Sequence, residues 1–128
     1  MSHALAKRRK AEGRQKGGRM TVFELATALN LEKLALPAPD REVNGVYAGD
    51  LLSWVMGRAE ADCLWATIMN NMNVLAVASL ADVALAVVCE NCEISEEMTE
   101  AAVQKGINLL RTPMPIYELC VAVSRVLS

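Results

Sequence analysis

The chain has 128 residues, 53% of them hydrophobic and only 4% aromatic, with a formal net charge of −2. That length suits one domain with a real core, which must be built from Ala, Val, Leu and Met. No uninterrupted apolar run reaches the ~20 residues of a membrane span and no signal peptide is recognisable, so the chain reads as a cytoplasmic protein with four reduced cysteines.

The charge is unevenly placed. Residues 1–19 hold seven basic groups against Glu12 alone, a net +6, while residues 20–128 hold six basic and fourteen acidic groups, a net −8. The first segment has no apolar periodicity and reads as a disordered basic tail. Residues 20–128 read as the folded domain. An arm of this kind is a candidate for nucleic acid or an acidic partner, but a −8 body repels phosphate and argues against a nucleic-acid surface. Lys16-Gly17-Gly18-Arg19 can also be encoded with AGGAGG, a ribosome-binding sequence, which makes Met20 a candidate start and the tail a translated leader.

Thr21 and Glu24 form a capping box, and Val22, Leu25, Ala26 and Leu29 follow at helical spacing, predicting a helix that stops near Asn30. A short strand over 34–36 precedes Pro37 and Pro39, which end regular structure. Residues 43–47 read as a strand by their β-branched and aromatic content. Gly45 and Gly49 punctuate the turn, and Asp50 is expected to cap the next helix, which carries Ser53, Trp54 and Met56.

Residues 58–62 read as a loop and 63–68 as a strand apolar on both faces, as in a parallel sheet covered on both sides. Asn70, Asn71 and Asn73 follow it; they suit either a turn and helix cap or a ligand site at the carboxyl end of a strand. A helix over 74–81 and a strand over 84–89 divide at Asp82. Cys89-Glu90-Asn91-Cys92 is a C-x-x-C, but a zinc site needs two more ligands and the one histidine is His3 in the tail. Cys89 also ends a strand rather than starting a helix, so it reads as a small buried hydrophobe.

Ser95 caps a helix with Glu96 and Glu97 in its first turn, and Gly106 ends it. Residues 107–110 read as the last strand, with Arg111 and Thr112 at its carboxyl end. Pro115 starts a final helix with Tyr117, Leu119, Cys120, Val123 and Val126 as its apolar stripe. This alternation predicts an α/β fold of three layers, α/β/α, around a mostly parallel sheet of four to five strands.

The sequence also resembles a known family. Asp40-Arg41, Asn44-Gly45 and Gly49-Asp50-Leu51-Leu52-Ser53 through Val55-Met56-Gly57 are similar to the signature of the DRTGG domain family, related to the N-terminal domain of HPr kinase/phosphorylase. The likeness continues through residues 73–82, 108–113 and 117–119. Asn44 stands where the family has threonine and Val46 where it has a second glycine. The resemblance implies a regulatory domain of the kind that accompanies CBS domains and phosphotransacetylase, with nucleotide sensing as its expected role. It also implies no kinase activity, because the catalytic machinery of HPr kinase lies in a different domain.

The motifs agree with a non-catalytic reading: the sequence has no P-loop, no G-x-S-x-G and no H-E-x-x-H. The expected function is a ligand-binding module for a nucleotide or other small anion, with no metal or cofactor. Its candidate contacts are Asn44, Gly45, Tyr47, Gly49, Asp50, Ser53, Asn70, Asn71, Asn73 and Thr112. The alternative is a homodimeric adaptor, with Trp54 and Met56 as interface residues because so apolar a chain suggests a buried face.

Overall fold

The computed structural model describes residues 20–127; the basic tail and the question of a start at Met20 lie outside the described residues. β1 (Met20–Thr21) leads directly into α1 (Val22–Ala28). The Thr21 hydroxyl accepts from the Glu24 amide at 3.1 Å and the Glu24 carboxylate accepts from the Thr21 amide at 2.9 Å, so the capping box forms as its spacing predicts. Asn30 then takes the left-handed conformation, φ 54°, that ends the turn. Next come β2 (Glu32–Ala35), β3 (Glu42–Val43), β4 (Val46–Ala48), α2 (Leu52–Arg58) and β5 (Leu64–Thr67). The chain continues through α3 (Asn73–Ala81), β6 (Leu85–Val88), α4 (Glu96–Lys105), β7 (Leu109–Arg111) and α5 (Ile116–Leu127).

The main sheet has five strands in the order β2-β7-β6-β5-β4. β4, β5, β6 and β7 are mutually parallel, and β2 joins the far edge antiparallel to β7. β1 and β3 pair separately as an antiparallel ribbon. The steps β4 to β5 to β6 to β7 all move the same way along the sheet. Crossovers of one hand therefore place α2, α3 and α4 on one face, where Val55, Val74, Leu75, Ala78, Met98 and Ala102 pack on Trp65, Ala86, Val88 and Leu109. α1 and α5 cover the other face, with Leu25, Leu119 and Val123 against Leu64, Ala66, Leu85, Val87 and Leu110. Each central strand thus feeds alternate side chains into two cores, which is why β5 and β6 are buried at every position. The three-layer α/β/α expectation holds, with five strands.

Three local expectations are corrected. Residues 43–47 are not one strand: a break at Asn44 and Gly45 separates β3 from β4, because the Asn44 amide donates to the Asp62 carbonyl at 3.0 Å and its side chain to Ala61 at 3.1 Å. Asp50 does not cap α2; the cap position is Leu51, with no side-chain bond. Tyr117 is not on the apolar stripe of α5 and is 79% exposed. It lies two positions before Leu119, some 200° around a helix, so the two cannot share a face.

Two polar clusters tie the loops to the amino-terminal ends of the parallel strands. The Arg41 guanidinium donates to the Asp62 carboxylate at 2.6 Å and to the carbonyls of Asp82 and Val83 at 2.9 Å, with the Asp82 carboxylate 3.3 Å away. The buried Asn108 side chain accepts from the Ala38 amide and donates to the carbonyls of Ala38 and Ala84, which satisfies its polar atoms in the interior.

Candidate functional site

Four parallel strands end at one rim, and the loops that leave them meet there. At the end of β4, Gly49 donates to the Ala66 carbonyl at 3.1 Å and accepts from the Trp65 indole N–H at 2.9 Å. A Cβ on Gly49 would approach the Tyr47 ring to 3.2 Å, so the bare backbone lets the ring fold over the turn. The Asp50 Oδ1 then accepts from the Thr67 hydroxyl at 2.7 Å and from the Ile68 amide at 2.9 Å. Asp50 is therefore a tie between the β4 and β5 loops, in place of the helix cap expected for it.

The asparagines past β5 divide their roles. The Asn71 Oδ1 accepts from the Asn73 amide at 2.9 Å and so supports the start of α3. Asn73 is the first residue of that helix, after a Met72 cap position with no side-chain bond. Asn70 donates to the Glu93 carbonyl at 2.8 Å and bridges to the loop past β6. In that loop Glu90 and Asn91 adopt successive left-handed conformations, φ 58° and 56°. Their amides donate to the carbonyls of Met114 and Thr112. Thr112 is buried, and its hydroxyl accepts from the Met114 amide at 3.2 Å.

The electrostatics of the rim are acidic. Asp50, Glu90 and Glu93 stand on its loops, and Arg111 is already paired with Glu32 through 2.9 and 3.2 Å bonds. A bare phosphate would meet carboxylates here, whereas the asparagine amides and turn carbonyls can bond a neutral ring in both senses. Cys89 contributes nothing reactive: burial, with Cys120 nearby, pushes its thiol up to about 12. It stays a neutral thiol that donates to the Val87 carbonyl at 3.8 Å. Among the described residues no group of three or more His, Cys, Asp or Glu side chains is placed to hold a metal ion.

The ten sequence candidates do not all share this rim. Gly49, Asp50, Asn70, Asn71, Asn73 and Thr112 gather at the carboxyl ends of the strands, with Tyr47 packed beside Gly49. Asn44 and Gly45 precede β4 and lie toward its opposite end. They line a hollow of about 500 Å³ between the sheet edge and α5, with Val46, Ala48, Cys120, Ser124 and Leu127. Ser53 lines a separate hollow of about 250 Å³ between α2 and α3, with Met56, Gly57 and Leu80. Neither hollow is lined by Tyr47, Asn71 or Thr112.

Sequence reasoning missed Thr67, whose signal was a single hydroxyl in an otherwise apolar strand. It also missed Ser124, Cys120 and the left-handed pair Glu90-Asn91, for which the sequence carries no glycine as a marker.

The sequence matches no family model and no curated protein. The fold has a solved counterpart. It is similar to the crystal structure of the CBS and DRTGG domains of the regulatory region of Clostridium perfringens pyrophosphatase, complexed with its activator diadenosine tetraphosphate. The TM-score is 0.65 at 12% identity, over 96% of this chain and 56% of that one. At that identity the likeness shows the fold, and it bears out the DRTGG-type expectation at that level. No helix among the described residues is long and apolar enough to cross a membrane.

Proposed function

We propose that this chain is a non-catalytic regulatory module that binds a nucleotide at the carboxyl rim of its sheet. The observation that carries this reading is that Asn70, Asn71 and Thr112 follow the carboxyl ends of β5 and β7 on the same rim as the Asp50–Thr67 tie. Open α/β sheets bind ligands outside the carboxyl ends of their strands, and the fold resembles a regulatory region that holds a nucleotide activator. The acidic rim refines the reading: the nucleoside, more than the phosphate, makes the contacts, through asparagine amides and backbone carbonyls. Calorimetry with AMP, ATP and diadenosine tetraphosphate tests this. Heat with at least one of them, lost on Asn71→Ala, supports it; no heat with any of them refutes it.

A second reading, a homodimer that acts as an adaptor, is favoured by one observation. Trp54 stands 52% exposed on α2, where a solvated helix would carry a polar side chain.

A further inference from the structure

We infer that the outer face of α2 and α3 is the surface through which two copies of this chain associate. This rests on the homodimer reading. Residues 51–57 and 68–81 contain no Asp, Glu, Lys, Arg or His, in a chain of which 22% is charged. Both stretches are on the surface in part: Leu51, Trp54, Ile68, Met72 and Leu80 are five of the eight exposed large hydrophobics among the described residues.

They lie together. Leu80 of α3 shares the hollow of about 250 Å³ with Ser53, Met56 and Gly57 of α2, and the Ile68 amide is held by the carboxylate of Asp50, the residue before Leu51. Ser53, Gly57, Ala76 and Ser79 are exposed, small and uncharged, so another helix can approach closely between the larger side chains. At one margin the Arg58 guanidinium stacks 3.7 Å from the centroid of the Trp54 ring. That fixes the indole without covering it, and places a charge at the edge of the face and not in its middle.

Area and charge point to a second copy as the occupant. The five side chains leave on the order of 500 Å² of apolar surface, and the small residues between them bring the face toward the ~800 Å² that each partner contributes to an ordinary stable interface. The domain carries a net −8 over residues 20–128, so two copies repel wherever their charged faces meet. Here they meet without charge. A two-fold axis also needs only one patch that matches itself, and an uncharged apolar face does so.

Sedimentation velocity on the full chain and on Trp54→Glu, Leu80→Glu and Gly57→Lys tests the assignment. A Cβ on Gly57 meets nothing within 4 Å, so the lysine is accommodated in the monomer and obstructs only the interface; far-ultraviolet circular dichroism checks that each variant is folded. The expected result is a dimer that each substitution weakens by roughly 30-fold or more. Trp54 emission shifts to the blue as the wild-type chain associates, while Trp65, fully buried, does not change. A dimer that survives all three substitutions overturns the assignment of the face and leaves the dimer standing. A chain that stays monomeric to about 100 μM overturns both, even if it captures a membrane or another protein through Trp54.

Discussion

The Thr67 hydroxyl donates a 2.7 Å hydrogen bond to the Asp50 carboxylate, seventeen residues away in the sequence. The same hydroxyl accepts from the Met69 amide at 3.1 Å, and the same carboxylate accepts from the Ile68 amide at 2.9 Å. One carboxylate and one hydroxyl thus hold the turn after β4 against the turn after β5. Thr67 is fully buried, so Thr67→Val strips the Met69 amide of its partner at no gain in packing. The expected loss is about 1–2 kcal/mol of stability, read as a fall in the urea midpoint. Asp50→Asn keeps an acceptor and loses less. Equal stability for Thr67→Val and wild type would show that the tie does not hold the rim.

Arg41 is the corresponding clamp at the opposite ends of the strands. Arg41→Ala leaves Asp62 and Asp82 without a guanidinium between them, and two backbone carbonyls lose a donor. The side chain is partly exposed, so the expected cost is about 1–3 kcal/mol rather than that of a fully buried pair. Arg41→Lys recovers little, since one ammonium cannot reach four acceptors in a plane. Chemical unfolding of the two variants checks this order.

Asn108→Ala removes three hydrogen bonds at a buried position. The groups that lose a partner are the amide of Ala38 and the carbonyl of Ala84, while the Ala38 carbonyl keeps the Arg41 amide at 3.4 Å, at an expected cost of about 2–4 kcal/mol. Asn108→Asp is worse at pH 7, because a carboxylate oxygen then faces two carbonyls. Thermal unfolding at pH 7 and pH 5 separates the two variants, with Asn108→Asp recovering stability at the lower pH.

Alkaline stability reports on Cys89. Its thiol is raised from 9.0 to about 12, chiefly by burial, and burial raises Cys120 as well. Between those values the folded chain keeps a proton that the unfolded chain has lost. The contribution is therefore full below pH 9.0 and is lost as the pH climbs toward about 12. In reducing buffer, Cys89→Ala should flatten that part of the curve while lowering stability at pH 7. A wild-type profile level from pH 9 to 11 would contradict it.

What the sequence showed and what it hid divides by distance along the chain. The Thr21–Glu24 capping box, the Ser95 cap and the left-handed Gly106 each involve residues within one helical turn, and all three stand where their spacing put them. The two apolar strands over β5 and β6 were legible because both faces are covered, which leaves no room for a polar residue except Thr67. Asp50 was misread because its partners, Thr67 and Ile68, stand at the end of the next strand and just past it, whereas a cap would have needed only its own helix. Asn70 spends its side chain on Glu93, which no local pattern announces. The break at Asn44 likewise depends on Asp62 and Ala61. The candidate site residues were found by type at strand ends, but only the strand direction separates Asn44 and Gly45 from the rim where Asn71 and Thr112 lie.

Isothermal titration of the full chain with diadenosine tetraphosphate, AMP and ATP tests whether this rim holds a nucleotide. Saturable heat is expected with at least one of them, reduced by Asn71→Ala and unaffected by Gly57→Lys, which lies near the carboxyl-terminal end of α2, away from the rim. No heat with any of the three, or heat that survives Asn71→Ala and disappears with Gly57→Lys, would contradict it.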